Sequence, residues 1–169
     1  MSIRATLKHK VDEGMLFPLL PLRLGTSPRR MMFVSEELWD VINSPVGAPE
    51  WDLRVAQLRA TLERFVEGQP IDPKYLYLLH PPRDCVWEIR SVRPSPSIRV
   101  LGLFAEKDVF VATHHEFRCQ LGEFESKAWK DAKSRAKAEW RALCHTYRPM
   151  DSTRINDLVS GALDGKYFR

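Results

Sequence analysis

Cysteine is scarce in this sequence, and its three copies are widely separated. Cys85, Cys119 and Cys144 are odd in number and show no paired spacing. Small secreted domains that depend on disulfides normally carry an even set of cysteines at close intervals. The sequence therefore argues against a disulfide framework. It predicts a protein of a reducing compartment, which we take to be the cytoplasm.

A long apolar run is also missing. No segment approaches the roughly 20 consecutive apolar residues that a membrane-spanning helix requires. The most apolar stretch, "MLFPLLPLRLG" at 15–25, is interrupted by two prolines and preceded by acidic residues. We interpret it as a partly buried arm rather than a signal peptide, and we expect no membrane partner.

The motifs of metal and cofactor enzymes are lacking too. The histidines and cysteines form no CxxC pair and no other zinc spacing, and there is no HExxH. The chain also has no GxSxG, no phosphate-binding glycine loop and no dinucleotide fingerprint. The sequence thus gives no support for a triad hydrolase or a nucleotide-cofactor enzyme, and we expect neither a metal nor a cofactor.

The chain does contain a regular succession of apolar segments and turn signals. A short strand, "MMFV", precedes two helices, of which "EWDLRVAQLRATLERFVEG" is the clearest. Three strands follow, separated by the turns "RPSPS" and "AEKD", and then a helix over 124–144. Turn signals at such short intervals indicate an antiparallel meander. The prediction is an α+β fold with a small antiparallel sheet packed with helices.

The two ends of the chain are less regular than the middle. We predict an extended N-terminal arm over 1–29, an α+β domain over 30–148 and a helical extension over 149–169. In that extension "DSTRINDLVSGALDG" has its apolar residues on one side of a short helix.

Two arginines lie within strand segments that are otherwise apolar. In "VWEIR" and "IRVLGLF", Glu88 and Arg90 point to one face of the first strand, and Arg99 shares a face with Leu101 in the second. Whether Arg90 and Arg99 share a face depends on a register that the sequence leaves open. Either Glu88 forms an ion pair with one of them and both lie at an exposed sheet edge, or the two arginines bind an anion.

The helix over 124–144 carries a stripe of positive charge. Lys130, Lys133, Lys137 and Arg141 recur at helical spacing, opposite Ala132, Ala136, Trp140 and Leu143. We expect the stripe to face outward, either as a solvated surface or as an RNA-binding rail that contacts phosphates. The net charge of +4 permits a polyanionic partner.

Taken in order, these segments resemble the RelE/ParE toxin superfamily, especially its HigB-like and phage-derived branch. "WEIR" matches the family's "lwElR" strand, "IRVLGLF" its "yRvly" strand, and "HEFR" its "hgFxKK" segment. "DAKSRA" stands in place of the "eixxAxxR" helix, and the helix before the sheet is similar as well. The resemblance covers roughly residues 30–145.

The resemblance implies a RelE-like fold and a toxin of a type II toxin–antitoxin system. The activity it implies is metal-independent cleavage of mRNA, in which the RNA's own 2′-hydroxyl attacks the phosphorus. Arg90, Arg99 and Arg118 would stabilise the charge on the phosphate, His115 would lie near the cleft, and Tyr147 would serve as a late aromatic or general base. Cys119 replaces the second of the family's paired lysines. The implied partners are an antitoxin of the helix-turn-helix type and RNA or the ribosome.

Two other interpretations remain open at this stage. The chain could be a RelE-fold protein without nuclease activity that binds only an antitoxin or a gyrase-type target. It could also be an unrelated α+β domain that binds nucleic acid.

Overall fold

The computed structural model describes residues 1–23 and 25–169. In these residues six strands form one mixed sheet, accompanied by six α-helices. The strands are β1 (Leu16–Pro18), β2 (Met31–Ser35), β3 (Leu76–Leu78), β4 (Trp87–Arg90), β5 (Ile98–Glu106) and β6 (Val109–Phe117). The helices are α1 (Ile3–Asp12), α2 (Glu36–Ile42), α3 (Pro49–Val66), α4 (Arg118–Leu121), α5 (Lys127–Leu143) and α6 (Ile155–Leu158).

None of the helices in the two described ranges is long and apolar enough to cross a membrane. The α+β class is confirmed.

The sheet has the order β1-β2-β6-β5-β4-β3. The predicted meander is present, because β4, β5 and β6 pair antiparallel in succession. The prediction of a purely antiparallel sheet is wrong, since β2 pairs parallel with β6. Parallel neighbours need a long crossover. Here the crossover from β2 to β6 contains α2, α3 and the strands β3, β4 and β5.

Helices cover both faces of the sheet and bury one apolar cluster on each. On the first, which we call the α3 face, Phe65 of α3 packs against Phe104 and Phe110, with ring centroids 6.3 and 5.9 Å away. On the second, the α5 face, Ala132 and Ala136 of α5 lie over Leu101 and Leu103. The predicted apolar face of α5 therefore packs on the sheet as expected, with small alanines at the contact.

The N-terminal segment is part of this structure rather than an extended arm. The hydroxyl of Ser2 accepts a hydrogen bond from the Ala5 amide and begins α1. Leu7 of α1 and Leu16 of β1 are buried in the cluster of the α5 face. The prediction of an extended conformation is wrong, because this segment forms α1 and β1 and its apolar side chains pack against the sheet. Leu24, within the apolar stretch 15–25, lies outside the described residues.

The C-terminal segment is mostly irregular, and α6 spans only four residues of the predicted helix. Its last part runs beside β3, where the Leu78 amide donates to the Tyr167 carbonyl at 2.7 Å. The Tyr167 hydroxyl donates to the carbonyl of Ile71 at 2.8 Å. Further back, the buried guanidinium of Arg30 donates to the Ser160 carbonyl at 2.6 Å. The bond between Leu78 and Tyr167 covers the β3 edge and brings Arg169 back to the sheet.

A bulge interrupts β6 at Thr113. Leu101 of β5 is paired with His114 and the next residue, Gly102, with Ala112, so Thr113 is left without a partner in the pairing. Because side chains alternate along a strand, one extra residue moves every later side chain to the opposite face.

Candidate functional site

The register between β4 and β5 answers the question that the sequence left open. Arg90 and Arg99 are direct cross-strand partners. Both lie on the α5 face, because Arg99 alternates with Leu101 and Leu103, which belong to that cluster. Two guanidinium groups therefore lie side by side on the same surface of the sheet.

Both arginines line a cavity of about 360 Å³ near the beginning of α5. Arg118, the first residue of α4, and Arg169, from the C-terminal segment, line it as well. We call this cavity the arginine pocket. Three of the residues proposed from the sequence, Arg90, Arg99 and Arg118, are thus brought together, and a fourth arginine joins them.

Glu88 is the one carboxylate among the described residues that line the arginine pocket. Its side chain is only 4% exposed. Its Oε1 accepts from Nε of Arg90 at 2.6 Å, and its Oε2 lies 3.8 Å from Nε of Arg99. The ion pair that the sequence suggested is present. Its predicted place at an exposed edge is wrong, because β3 and the C-terminal segment lie outside β4.

Aromatic rings hold three of the four arginines. The guanidinium carbon of Arg90 lies 4.3 Å from the ring centroid of Tyr77, and that of Arg169 lies 4.1 Å from the ring of Phe124. Arg118 lies over Trp129 at 6.0 Å and donates to the Gly122 carbonyl at 2.7 Å. Such cation–π contacts fix the guanidinium planes while leaving N–H donors at their edges.

Among the described residues, the one ion-pair partner of Arg99 is Glu88, at 3.8 Å. Its Nη1 is buried and has no hydrogen-bond partner within the described ranges. Burial lowers the pKa of Arg99, and the neighbouring charges of Arg90 and Arg118 lower it further, while Glu88 raises it. A buried donor without an acceptor, close to like charges, is unfavourable for the fold.

His115 does not belong to this pocket. The Thr113 bulge pairs His115 with Val100, whose side chain lies on the α3 face. The expectation that His115 lies near the cleft is therefore wrong, because the bulge shifts the alternation of β6 by one residue. Burial lowers the pKa of His115, an effect that Glu37 opposes.

Tyr147 also lies elsewhere. It lines a separate cavity of about 500 Å³ near the end of α5, together with Lys137 and Arg141. Its carbonyl accepts from the indole N–H of Trp140 at 3.0 Å. The proposed grouping of Tyr147 with the strand arginines is wrong, since the chain turns after α5 and continues away from the arginine pocket.

The positive stripe of α5 is only partly available to a ligand. Lys130 and Arg141 are exposed, whereas Lys137 forms an ion pair with Asp84 at 3.0 Å. Lys133 is buried, and its ammonium group donates to the His80 carbonyl and to Glu125. The prediction that the whole stripe faces outward is wrong for Lys133, because the loop before β4 packs on this side of the helix.

Sequence reasoning missed Arg169 and the aromatic residues of the pocket. Tyr77 could have been found, because "YLYLL" alternates and places Tyr77 opposite the buried Leu76 and Leu78. No pattern in the sequence pointed to Arg169 as a pocket residue, since its position depends on the contacts of Tyr167 with Leu78 and Ile71.

Comparisons of the chain with models of known protein families, with curated proteins and with solved structures found no match. The functional conclusion therefore depends on the geometry of the arginine pocket.

Proposed function

We propose that this chain binds single-stranded RNA, and that the arginine pocket holds a phosphate group of the bound strand. The observation that carries the proposal is the convergence of Arg90, Arg99, Arg118 and Arg169 on one cavity, whose described lining residues include a single acidic side chain. Guanidinium groups match phosphate oxygens with two parallel donors, and their charge remains at any physiological pH.

The aromatic supports strengthen this interpretation. Holding four like charges together in a fixed arrangement costs free energy, and the chain uses Tyr77, Phe124 and Trp129 to do so. Donors that are already oriented lose little freedom when an anion binds. The exposed cations on α5, Lys130 and Arg141, extend the positive surface beyond the pocket.

The wider setting in this proposal is a toxin-like protein of a type II toxin–antitoxin system. In support, the segments that resemble RelE/ParE motifs lie on α3, on β4 and β5, at the end of β6 and on α5. The partner would be an antitoxin of the helix-turn-helix type. An acidic segment of that partner would cover the arginine pocket and compete with RNA.

Cleavage of mRNA is the second candidate, and Glu88 is the observation that favours it. Its Oε2 is buried against the pocket and has no hydrogen-bond partner among the residues described. In metal-independent cleavage the 2′-hydroxyl loses its proton to a base, its oxygen bonds to phosphorus, and the bond to the 5′-oxygen breaks as that oxygen gains a proton from water. Glu88 could accept the first proton, and the arginines would stabilise the phosphorane. His115 and Tyr147 have no part in this version.

Binding is tested by fluorescence anisotropy with a labelled single-stranded RNA of about 12 nucleotides. Arg118→Ala and Arg169→Ala should each weaken binding about tenfold or more, since a charge-assisted contact is lost. Lys107→Ala is the matched control, because this exposed lysine lies in the turn at the other end of β5. Equal losses in all three variants, or no binding by the unmodified chain, would contradict the proposal.

Cleavage is tested separately, by incubating the RNA with the chain in excess EDTA and resolving the products. If Glu88 is the base, Glu88→Gln abolishes cleavage but leaves RNA binding in place. An intact RNA after incubation with the unmodified chain would leave binding as the function of the pocket.

A further inference from the structure

The charges of the arginine pocket are far from balanced. Four guanidinium groups line it, and Glu88 compensates only one of them. The closest contacts of Glu88 are with Arg90, at 2.6 Å, and its distance to Arg99 is already 3.8 Å. About three positive charges therefore remain around a small volume, and an anion of higher charge gains more from them than a singly charged one.

The pocket also offers little surface for stacking a base. Tyr77, Trp129 and Phe124 are each covered on one side by a guanidinium group. These aromatic residues position the N–H donors of the arginines, and their own rings are not open to a base. This arrangement recognises phosphate oxygens, whereas sites that read single-stranded bases leave their aromatic rings free.

The pocket is confined as well as charged. Its volume of about 360 Å³ is close to the lower limit of small-molecule sites. The C-terminal segment closes one side, where the Leu78 amide binds the Tyr167 carbonyl and Arg169 lies on Phe124. An RNA strand that enters the pocket is blocked on that side by the C-terminal segment. The pocket therefore suits the end of an RNA strand better than an internal stretch of it.

We propose that the arginine pocket binds the terminal phosphate monoester of an RNA strand rather than an internal phosphodiester. This inference rests on the proposed RNA-binding function and specifies its ligand. A monoester carries about −1.5 to −2 charges at neutral pH and presents three terminal oxygens. An internal phosphodiester carries one charge and has two unesterified oxygens. The terminal group therefore compensates more of the arginine charge than an internal phosphodiester does.

The experiment compares three single-stranded RNAs of identical sequence, each labelled internally. One has hydroxyl groups at both ends, the second has a 5′-phosphate, and the third has a 3′-phosphate. The inference predicts that one of the two phosphorylated RNAs binds about tenfold more tightly than the hydroxyl-ended RNA. If the 5′-phosphorylated RNA binds more tightly, the 5′ end of the RNA enters the pocket, and if the 3′-phosphorylated RNA does, the 3′ end enters it.

Variants locate this preference in the pocket. Arg118→Ala and Arg169→Ala should both reduce the advantage of the phosphorylated RNA, while Lys107→Ala should keep it. Two arginine variants are used so that a folding defect in one, seen in its melting curve, does not decide the result. Equal affinity for all three RNAs would overturn this inference and leave RNA binding intact. Failure of every RNA to bind would overturn the proposed function itself, and with it this inference.

Discussion

Arg90 and Arg99 face each other across β4 and β5, and the carboxylate of Glu88 lies within 3.8 Å of both guanidinium groups. The carboxylate is almost completely buried, so it needs a neighbouring cation to keep the sheet stable. The arginines that supply this positive charge are also residues of the arginine pocket. Its members differ in how strongly the fold depends on them, and that difference can be measured.

Arg90→Ala should destabilise the fold, whereas Arg118→Ala should not. Arg90 donates to Glu88 and to the Pro73 carbonyl, and its loss leaves a buried carboxylate short of its nearest cation. We expect the free energy of unfolding to fall by about 3 kcal/mol. Arg118 is half-buried on α4, and its replacement should cost about 0–1 kcal/mol. Urea denaturation of the two variants measures the contrast, and equal losses would contradict this assignment of roles.

RNA binding should be strongly dependent on salt. For single strands the slope of log affinity against log salt is about −0.7 for each phosphate contact. We expect Arg118→Ala to make the slope shallower by about 0.7. Lys133→Met should leave the slope unchanged, because the Lys133 ammonium group is occupied by His80 and Glu125. Anisotropy titrations at several salt concentrations provide the slopes, and a flat response in the unmodified chain would show that phosphate contacts do not drive binding.

Stability should fall as the pH falls below about 6.5. Burial lowers the pKa values of His114 and His115 in the folded chain below their ordinary value of 6.5. The unfolded chain therefore takes up protons first as the pH decreases, which favours unfolding until the folded pKa values are reached. The stability contributed by the neutral imidazoles is fully present above 6.5 and lost below it. Urea midpoints at about pH 7.5 and 5.5 measure this loss.

The matched variant for this pH effect is the double substitution His114→Gln and His115→Gln. It should have a smaller difference between the two midpoints than the unmodified chain. A difference of the same size would assign the acid sensitivity to other groups.

Alkylation should distinguish the three cysteines. Cys85 and Cys144 are buried, and burial raises the pKa of each thiol to about 11. Cys119 is exposed. With iodoacetamide at about pH 8, Cys119 should be modified and the other two protected, because the thiolate is the reacting species. Peptide mass spectrometry identifies the modified sites, and a denatured sample in which all three react is the control. Early labelling of Cys85 would show that the loop before β4 opens.

The positions of Arg90 and Arg99 on neighbouring strands could be predicted from the sequence, because strand alternation and turn signals are local. "WEIR" and "IRVLGLF" carry their own periodicity, and one short turn joins them, so Arg90 and Arg99 had few possible arrangements. The expected position of His115 near the cleft did not allow for a single inserted residue, Thr113, which reverses the alternation and leaves no mark in the sequence pattern. Lys133 has the spacing of a surface lysine, and only the packing of the loop at His80 buries it. Arg169 depends on a tertiary contact of Tyr167 that no local pattern contains.

The parallel pairing of β2 with β6 has a consequence for synthesis of the chain. β2 leaves the ribosome well before β6, since α2, α3 and the strands β3 to β5 are made in between. The hairpin of β5 and β6 can close as soon as both strands have emerged, because it needs only a short turn. The N-terminal strands must wait for that hairpin, and meanwhile the apolar residues Met32 and Val34 have no partner strand beyond β1. The growing chain therefore exposes an unpaired strand edge until β6 has emerged from the ribosome, and during this interval it is vulnerable to aggregation and proteolysis.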